Sequence, residues 1–357
     1  MNAGVATGLR VCIPIGDRAE GGLYTFLRYW RRFLADRGAV VTEDLGGDYD
    51  VLFVNSFVVP CAEVLAAKRR LPGLRVMHRV DGSARDYGRT PEDDARQARV
   101  NMLADVTVYQ SAYGRYATRR KFRVLCQDGP VIHNPVDTRM FCPAGERTAL
   151  PGARRVGHVT FSTNPRKGAA DLFAVARANP DLTFVAAGRY EDAPALPNLV
   201  TVGVVAHERL PALLRGCHAL AFFAENETCS NVLAEGLACG LPVLFRDSGG
   251  NGELVGPCGA AVSPATFRSA FAELWPRRLE VAAAARTRAE TLFAVNPVLE
   301  RYGDVLGRTV RRPLPTAARV AWLCLRGYPV WPGGRRRMLA DAWRRLWRRP
   351  RGTRRAT

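Results

Sequence analysis

Residues 225–256 read ENETCSNVLAEGLACGLPVLFRDSGGNGELVG. Two carboxylates in this stretch, Glu227 and Glu235, stand eight positions apart. Thr228, Ser230 and Asn231 are cap-forming residues and 232–238 have helical spacing, so a helix is predicted from near Ser230 to Gly240, stopped by Pro242. Glu227 then lies on the loop ahead of the helix and Glu235 more than a turn inside it. The amides opened at the helix start, aided by the dipole, suit a diphosphate, which assigns Ser230, Asn231 and Val232 to phosphate contact. Carboxylates on either side suit sugar and ribose hydroxyls, which donate hydrogen bonds to acids.

Outward from this stretch, strand-like and helical runs alternate. Strands are predicted over 10–15, 51–55, 75–80, 106–109 and 131–133, with helices over 23–34, 62–70, 95–103 and 112–120 between them. A second set of strands is predicted over 156–160, 182–186, 199–202, 219–223 and 243–245. Such alternation gives a parallel sheet covered by helices on both faces, here twice. The 357 residues suit two domains and an extension. The boundary is expected in 143–155, PAGERTALPGARR, which lacks periodicity. The expected division is 1–148, 149–310 and a basic tail over 311–357. The N-terminus passes straight into a strand-like segment, so no signal peptide is expected, and no run of 18 apolar residues predicts a spanning helix. Nine cysteines without a Cys-x-x-Cys pair read as core residues and free thiols of a reducing compartment.

Ligands of open parallel sheets bind at the carboxyl ends of strands. The first such loop, 16–22, ends in Gly21-Gly22 and leads into a helix, so backbone can approach a ligand there. It is not the G-x-G-x-x-G of nicotinamide-binding domains. A second strand end, VMHRVDG over 76–82, carries His78, Arg79 and Asp81 toward the cleft; alternation puts His78 and Val80 on one face, Arg79 and Asp81 on the other.

The 225–256 stretch resembles the donor-binding segment of family 4 glycosyltransferases, retaining enzymes of the GT-B fold: Glu227, Glu235, then Ala238-Cys239-Gly240-Leu241-Pro242-Val243, Gly249-Gly250 and Glu253. The resemblance extends over most of 10–305. It implies that Gly21 and Gly22 face the donor phosphates or the acceptor, and that His78 or Asp81 touches the transferred sugar, Asp81 being favoured because it stands immediately before Gly82. VIHNPVDTRMFC, 131–142, resembles the family's Asn-Gly-Val-Asp-x-x-x-Phe element, with Asn134 and Asp137 as turn formers. In FSTNPRKG, 161–168, Lys167 matches the family's lysine on the donor diphosphate. The usual arginine position is taken by Ser162, leaving Arg166 as a replacement. Gly188 resembles the loop that approaches the nucleotide base, and 204–214 the segment whose backbone reads it.

Asp48-Tyr49-Asp50 has the Asp-x-Asp spelling of a metal site but precedes the strand over 51–55, so it reads as a turn. The five histidines lack paired ligand spacing, and no catalytic metal is expected. No cofactor is expected either, the nucleotide sugar being a co-substrate. From Arg308 to Thr357 there are fifteen arginines and one acid, +14 of the chain's +19, with four of its six tryptophans. Within 335–349, Met338, Leu339, Ala342, Trp343, Leu346 and Trp347 share one half of a helical wheel and Arg337, Arg344, Arg345 and Arg348 the other. This pattern suits a helix lying in an anionic membrane surface, with nucleic acid or a protein partner as weaker alternatives.

Together these features predict a metal-independent retaining glycosyltransferase, cytoplasmic and peripheral at the inner face of the membrane. It would take a sugar from a nucleotide-sugar donor to a glycan or lipid-linked acceptor in cell-surface polysaccharide or glycolipid synthesis. Catalytic roles fall to Glu227, Asp81, His78 and Lys167, and donor binding to Gly21, Gly22, Arg166, Lys167, Gly188, Ser230, Asn231, Val232 and Glu235. The competing readings are a nucleotide-sugar epimerase of the same fold and a non-catalytic membrane- or nucleic-acid-binding scaffold.

Overall fold

The computed structural model describes residues 5–17, 21–122 and 129–315. The amphipathic segment predicted over 335–349 lies outside them. The first half runs β1 (Arg10–Cys12), α1 (Gly22–Ala35), β2 (Val40–Thr42), β3 (Val51–Asn55), α2 (Cys61–Arg70), β4 (Arg75–Val80), a 3₁₀ turn (Ala84–Tyr87), α3 (Pro91–Asn101), β5 (Val106–Tyr109) and α4 (Ala112–Phe122). Its sheet has the order β2-β1-β3-β4-β5, every recorded pairing parallel.

The second half runs β6 (Arg155–Thr160), a 3₁₀ turn (Pro165–Lys167), α5 (Ala169–Ala178), β7 (Thr183–Gly188), β8 (Leu199–Gly203), α6 (Leu210–Gly216) and β9 (Ala219–Phe222). It continues with α7 (Asn231–Ala238), β10 (Val243–Phe245), α8 (Asn251–Val255), β11 (Gly259–Ala261), α9 (Phe267–Leu274), α10 (Arg278–Leu292) and α11 (Val295–Arg308). The sheet order is β11-β10-β9-β6-β7-β8, again parallel.

The central strands are buried throughout, as strands covered on both faces must be: β3 and β9 have no exposed position. α1 buries Phe26, Leu27, Trp30, Phe33 and Leu34, an apolar stripe at helical spacing, and keeps its arginines outside. The edge strands β2 and β11, three residues each, were not predicted, and 131–133 makes one isolated bridge, Val131 to Tyr109, instead of a strand.

The chain then crosses back. Val136 N–H donates to Phe293 O at 2.7 Å, and α11 lays Val298, Leu299, Tyr302 and Leu306 into the first domain's core. The Tyr302 ring lies 5.1 Å from Phe26 and 5.7 Å from Trp30. By sequence α11 falls in the expected 149–310 division; by packing it belongs to the first domain. The attachment continues past Val310: Arg312 N–H donates to Asp105 Oδ1 at 2.5 Å, beside the buried Lys68–Asp105 ion pair at 2.7 Å, and Leu314 packs on the second apolar cluster of that domain.

Leu299, 1% exposed, is therefore part of the first domain's core, in one cluster with Phe26, Trp30 and Phe53. Leu299→Ala should destabilise the protein by about 2–5 kcal/mol in urea unfolding, as expected for a large-to-small core change.

Candidate functional site

A cavity of about 930 Å³ opens between the carboxyl ends of the two sheets. Of the residues assigned from sequence, Gly21, Gly22, Asp81, Lys167, Glu227, Ser230, Asn231, Val232 and Glu235 line it. Ser230 caps α7, its Oγ accepting from Leu233 N–H at 3.4 Å. The amides of Asn231 and Val232 belong to the first turn of α7 and stand at the positive end of the helix dipole, beside the cavity.

Glu227 sits on the loop before α7, 7% exposed, where the Lys167 ammonium pairs with Oε1 and the Tyr87 hydroxyl donates to Oε2 at 3.3 Å. This loop is pressed against Gly249 and Gly250. A Cβ on Gly249 would stand 2.4 Å from Glu227 O and one on Gly250 2.4 Å from Thr228 O, so the paired glycines serve backbone packing behind the carboxylate. Glu235, 5% exposed, accepts from His207 Nε2 at 3.1 Å. That hydrogen bond outweighs burial and raises the His207 pKa above its ordinary 6.5.

Asp81 lies at the end of β4 with a 40% exposed side chain. Arg79 Nη1 donates to it at 2.9 Å, Asn55 Nδ2 at 2.6 Å and Gln110 Nε2 also donates. Three donors hold the carboxylate, with acceptor capacity left for a further hydroxyl.

His78, Arg166 and Gly188 do not line the cavity. His78 is fully buried: Nε2 donates to Ser56 O at 2.7 Å and Nδ1 accepts from Asn101 Nδ2 at 3.1 Å, and burial pushes its pKa down to about 4. Both nitrogens are committed, and of the two candidates at this strand end only Asp81 lines the cavity. Arg166 turns to Glu225, 3.7 Å away, leaving Lys167 as the cation of that loop inside the cavity. Gly188 has φ +125°, and a Cβ there would stand 1.5 Å from Thr160 O, so it closes the β6–β7 packing. Asp48 and Asp50 pair with Arg70 and Arg10 at 3.4 and 3.1 Å, ahead of β3 and away from the cavity.

Sequence reasoning missed Tyr87, Arg28, His207 and Gln110, all lining residues. Only His207 carried a signal, lying within 204–214, the segment whose resemblance implied contact with the nucleotide base. Asn134, read as a turn former, is a bridge: its Oδ1 accepts from Arg79 at 2.6 Å and its Nδ2 donates to Cys229 O and Asn231 Oδ1, both at 2.9 Å.

Residues 160–277 match the family described as Glycosyl transferases group 1. Over 193 residues the chain is 29% identical to the GDP-mannose-dependent alpha-mannosyltransferase of Mycolicibacterium smegmatis, a match covering 48% of this chain and 51% of that protein. The chain thus spans about half the length of the curated relative it matches. Among solved structures, sucrose-phosphate synthase from Thermosynechococcus elongatus superposes with a TM-score of 0.70 at 15% identity, covering 84% of this chain and 98% of the other. Anabaena HepE, solved with UDP, gives 0.66 at 16% identity, covering 84% and 99%. The fold is GT-B. The glycosyltransferase AviGT4 of avilamycin A biosynthesis is also similar, at 20% identity, TM-score 0.55 and coverage of 83% and 96%.

The His207–Glu235 contact makes a pH-dependent contribution to stability. Because the folded-state pKa is raised, that contribution is full below the unfolded histidine value of 6.5 and is lost as pH rises through the folded one. The stability difference between the wild type and His207→Gln, read by thermal unfolding, should therefore be largest at acid pH and shrink above pH 6.5.

Proposed function

We propose that this protein is a glycosyltransferase that moves a sugar from a nucleoside diphosphate donor to a hydroxyl acceptor. The observation that carries this reading is one cavity in which the open N-terminus of α7 and Lys167 face Glu227, Glu235 and Asp81. A diphosphate suits the first two by charge and hydrogen bonding. Glu227 orients the sugar hydroxyls and Glu235 accepts from the ribose. The glycosidic bond forms between the acceptor oxygen and the anomeric carbon as the bond from that carbon to the diphosphate oxygen breaks. In the retaining course implied by the Glu227–Glu235 signature, attack occurs on the face the leaving group departs from, and the acceptor proton passes to a diphosphate oxygen. Lys167 and the α7 amides offset the charge that develops there, which supports turnover without a divalent metal.

The relatives point to hexose donors: the mycobacterial protein is named for GDP-mannose, and HepE has been solved with UDP-glucose. The acceptor reading is a glycan or lipid-linked hydroxyl, supported by the basic, tryptophan-rich tail beyond residue 315. That tail suits attachment to an anionic inner membrane face. Among the described residues no helix is long and apolar enough to cross a membrane.

A panel including GDP-mannose and UDP-glucose, tested by calorimetry and turnover in EDTA, should yield at least one donor. With it, Glu227→Gln should lose turnover while binding the free nucleotide normally, and Glu235→Gln should lose about 1–3 kcal/mol of nucleotide affinity. Binding of no nucleotide sugar, or wild-type turnover in Glu227→Gln, overturns the assignment.

Truncation after Pro315, which keeps the Arg312 and Leu314 contacts, should leave a folded, donor-binding protein. Co-sedimentation with anionic vesicles should be lost, and the full-length protein's binding should weaken with salt, since each surface arginine contributes about 1 kcal/mol against a charged leaflet.

A further inference from the structure

Residues 82–88 and the start of α4, both in the first domain, grip residues 226–228 of the second beside the sugar-facing carboxylate. Tyr87 is central. Its hydroxyl accepts from Thr228 N–H at 3.1 Å and donates to Glu227 Oε2 at 3.3 Å, while its backbone oxygen accepts from Asn164 Nδ2 at 3.1 Å. Lys167 Nζ lies 5.9 Å from the ring centroid. Asn226 adds two bonds, donating to Asp86 O at 3.4 Å and accepting from the Tyr113 hydroxyl at 3.3 Å. Thr228 fills a notch between two glycines: a Cβ on Gly82 would stand 2.2 Å from Thr228 Oγ1, and one on Gly114 2.4 Å from Thr228 Cγ2.

We propose that Tyr87 is a positioning residue for Glu227, so that the sugar-orienting carboxylate is aligned only when the first domain is seated on the second; this rests on the glycosyltransferase reading above. Each Glu227 oxygen has a different partner. Oε1 is held by Lys167, the cation a donor diphosphate competes for. Once the ammonium turns to the diphosphate, Oε1 is released to a sugar hydroxyl, and Oε2 on Tyr87 is what still fixes the carboxylate. Burial, reinforced by Glu227, raises the Tyr87 pKa well above the ordinary phenol value and keeps the hydroxyl a neutral donor. The nucleotide-holding groups, Glu235 and the α7 amides, have no recorded bond to Tyr87. Its hydroxyl therefore serves the sugar step and not nucleotide capture.

The full chain tests this with the donor found in the panel. Tyr87→Phe keeps the ring over Lys167 and removes the hydroxyl that bonds the Glu227 carboxylate and accepts from Thr228 N–H. Its nucleoside diphosphate affinity should match the wild type within about twofold, whereas kcat should fall about ten- to a hundredfold, as for loss of a hydrogen bond to a charged group. Gly114→Ala lies outside the cavity and drives a methyl into Thr228, so it should also lower kcat while sparing nucleoside diphosphate binding. Adding Thr228→Ser removes the clashing Cγ2 and should recover most of that kcat, a rescue that local damage to α4 would not show. Wild-type kcat in Tyr87→Phe, equal loss of nucleoside diphosphate binding and kcat, or a Gly114→Ala defect untouched by Thr228→Ser overturns the proposal. Failure of the wild type to bind any nucleoside diphosphate would instead overturn the glycosyltransferase reading and this inference with it.

Discussion

Arg79 carries its charge into the interior of the first domain with 1% of its surface exposed, and a buried charge is tolerable only where its donors are met. Nη1 donates to Asn55 Oδ1 at 2.5 Å and to Asp81 at 2.9 Å, Nη2 to Asn134 at 2.6 Å and Nε to the Tyr302 hydroxyl at 3.2 Å. The guanidinium carbon lies 4.1 Å from the Phe26 ring centroid. These partners come from β3, the end of β4, the segment following the Val131 bridge, α11 and α1, elements far apart in sequence. Removing one partner of such a buried pair costs about 3–5 kcal/mol, so the placement of each element is tied to the others.

From Arg79 the order passes to the site. Asn134 relays it to Cys229 and Asn231, which fixes the start of α7 relative to the first domain. A second polar contact works in the opposite direction. Glu253 on α8 reaches across to the N-terminus of α4, accepting from Ala112 N–H at 2.8 Å, Tyr113 N–H at 3.1 Å and His133 Nε2 at 3.0 Å. Burial alone would raise the Glu253 pKa, but the His133 and amide bonds outweigh it and hold the value below the ordinary range. The two domains are registered by directional caps and relays, which specify an orientation more sharply than an apolar face.

Legibility from sequence followed how local each feature is. The two sheets, the α7 cap at Ser230 and the cavity positions of Glu227, Glu235 and Lys167 depend on neighbouring residues, and they were readable. The three-residue edge strands β2 and β11 carry too little periodicity to be seen. The partner surface of α11 lies on α1, and no local pattern names a partner that distant. His78 and Asp81 could not be separated by alternation, because β4 is buried over nearly its whole length; depth along the strand decides instead, with His78 inside and Asp81 at the rim. Arg166 follows the same rule, since a 3₁₀ turn sends adjacent side chains in different directions. Tyr87 had no signature, since its role exists only once the second domain is opposite it.

The Glu227–Lys167 pair shows why the family-like signature clusters its glycines and acids so tightly. In the proposed reaction this carboxylate exchanges one partner without swinging away, which needs a rigid backbone beneath it and a second bond elsewhere. Gly249 and Gly250 allow the chain to press against residues 227–228, and Glu227 O accepts from Gly250 N–H at 2.7 Å. Glu225 N–H in turn donates to Arg166 O at 2.7 Å, pinning the lysine loop to the glutamate loop. Arg246 joins Glu225 to Asp171 on α5, extending that support away from the cavity. Charge is therefore fixed by the fold itself, and in the proposed reaction electrostatic stabilisation from such groups needs little reorganisation as charge develops on the leaving diphosphate. In the proposed reaction the group that moves is the ammonium of Lys167, a flexible side chain with three donors, while the carboxylate stays held by Tyr87 and by the loop beneath it.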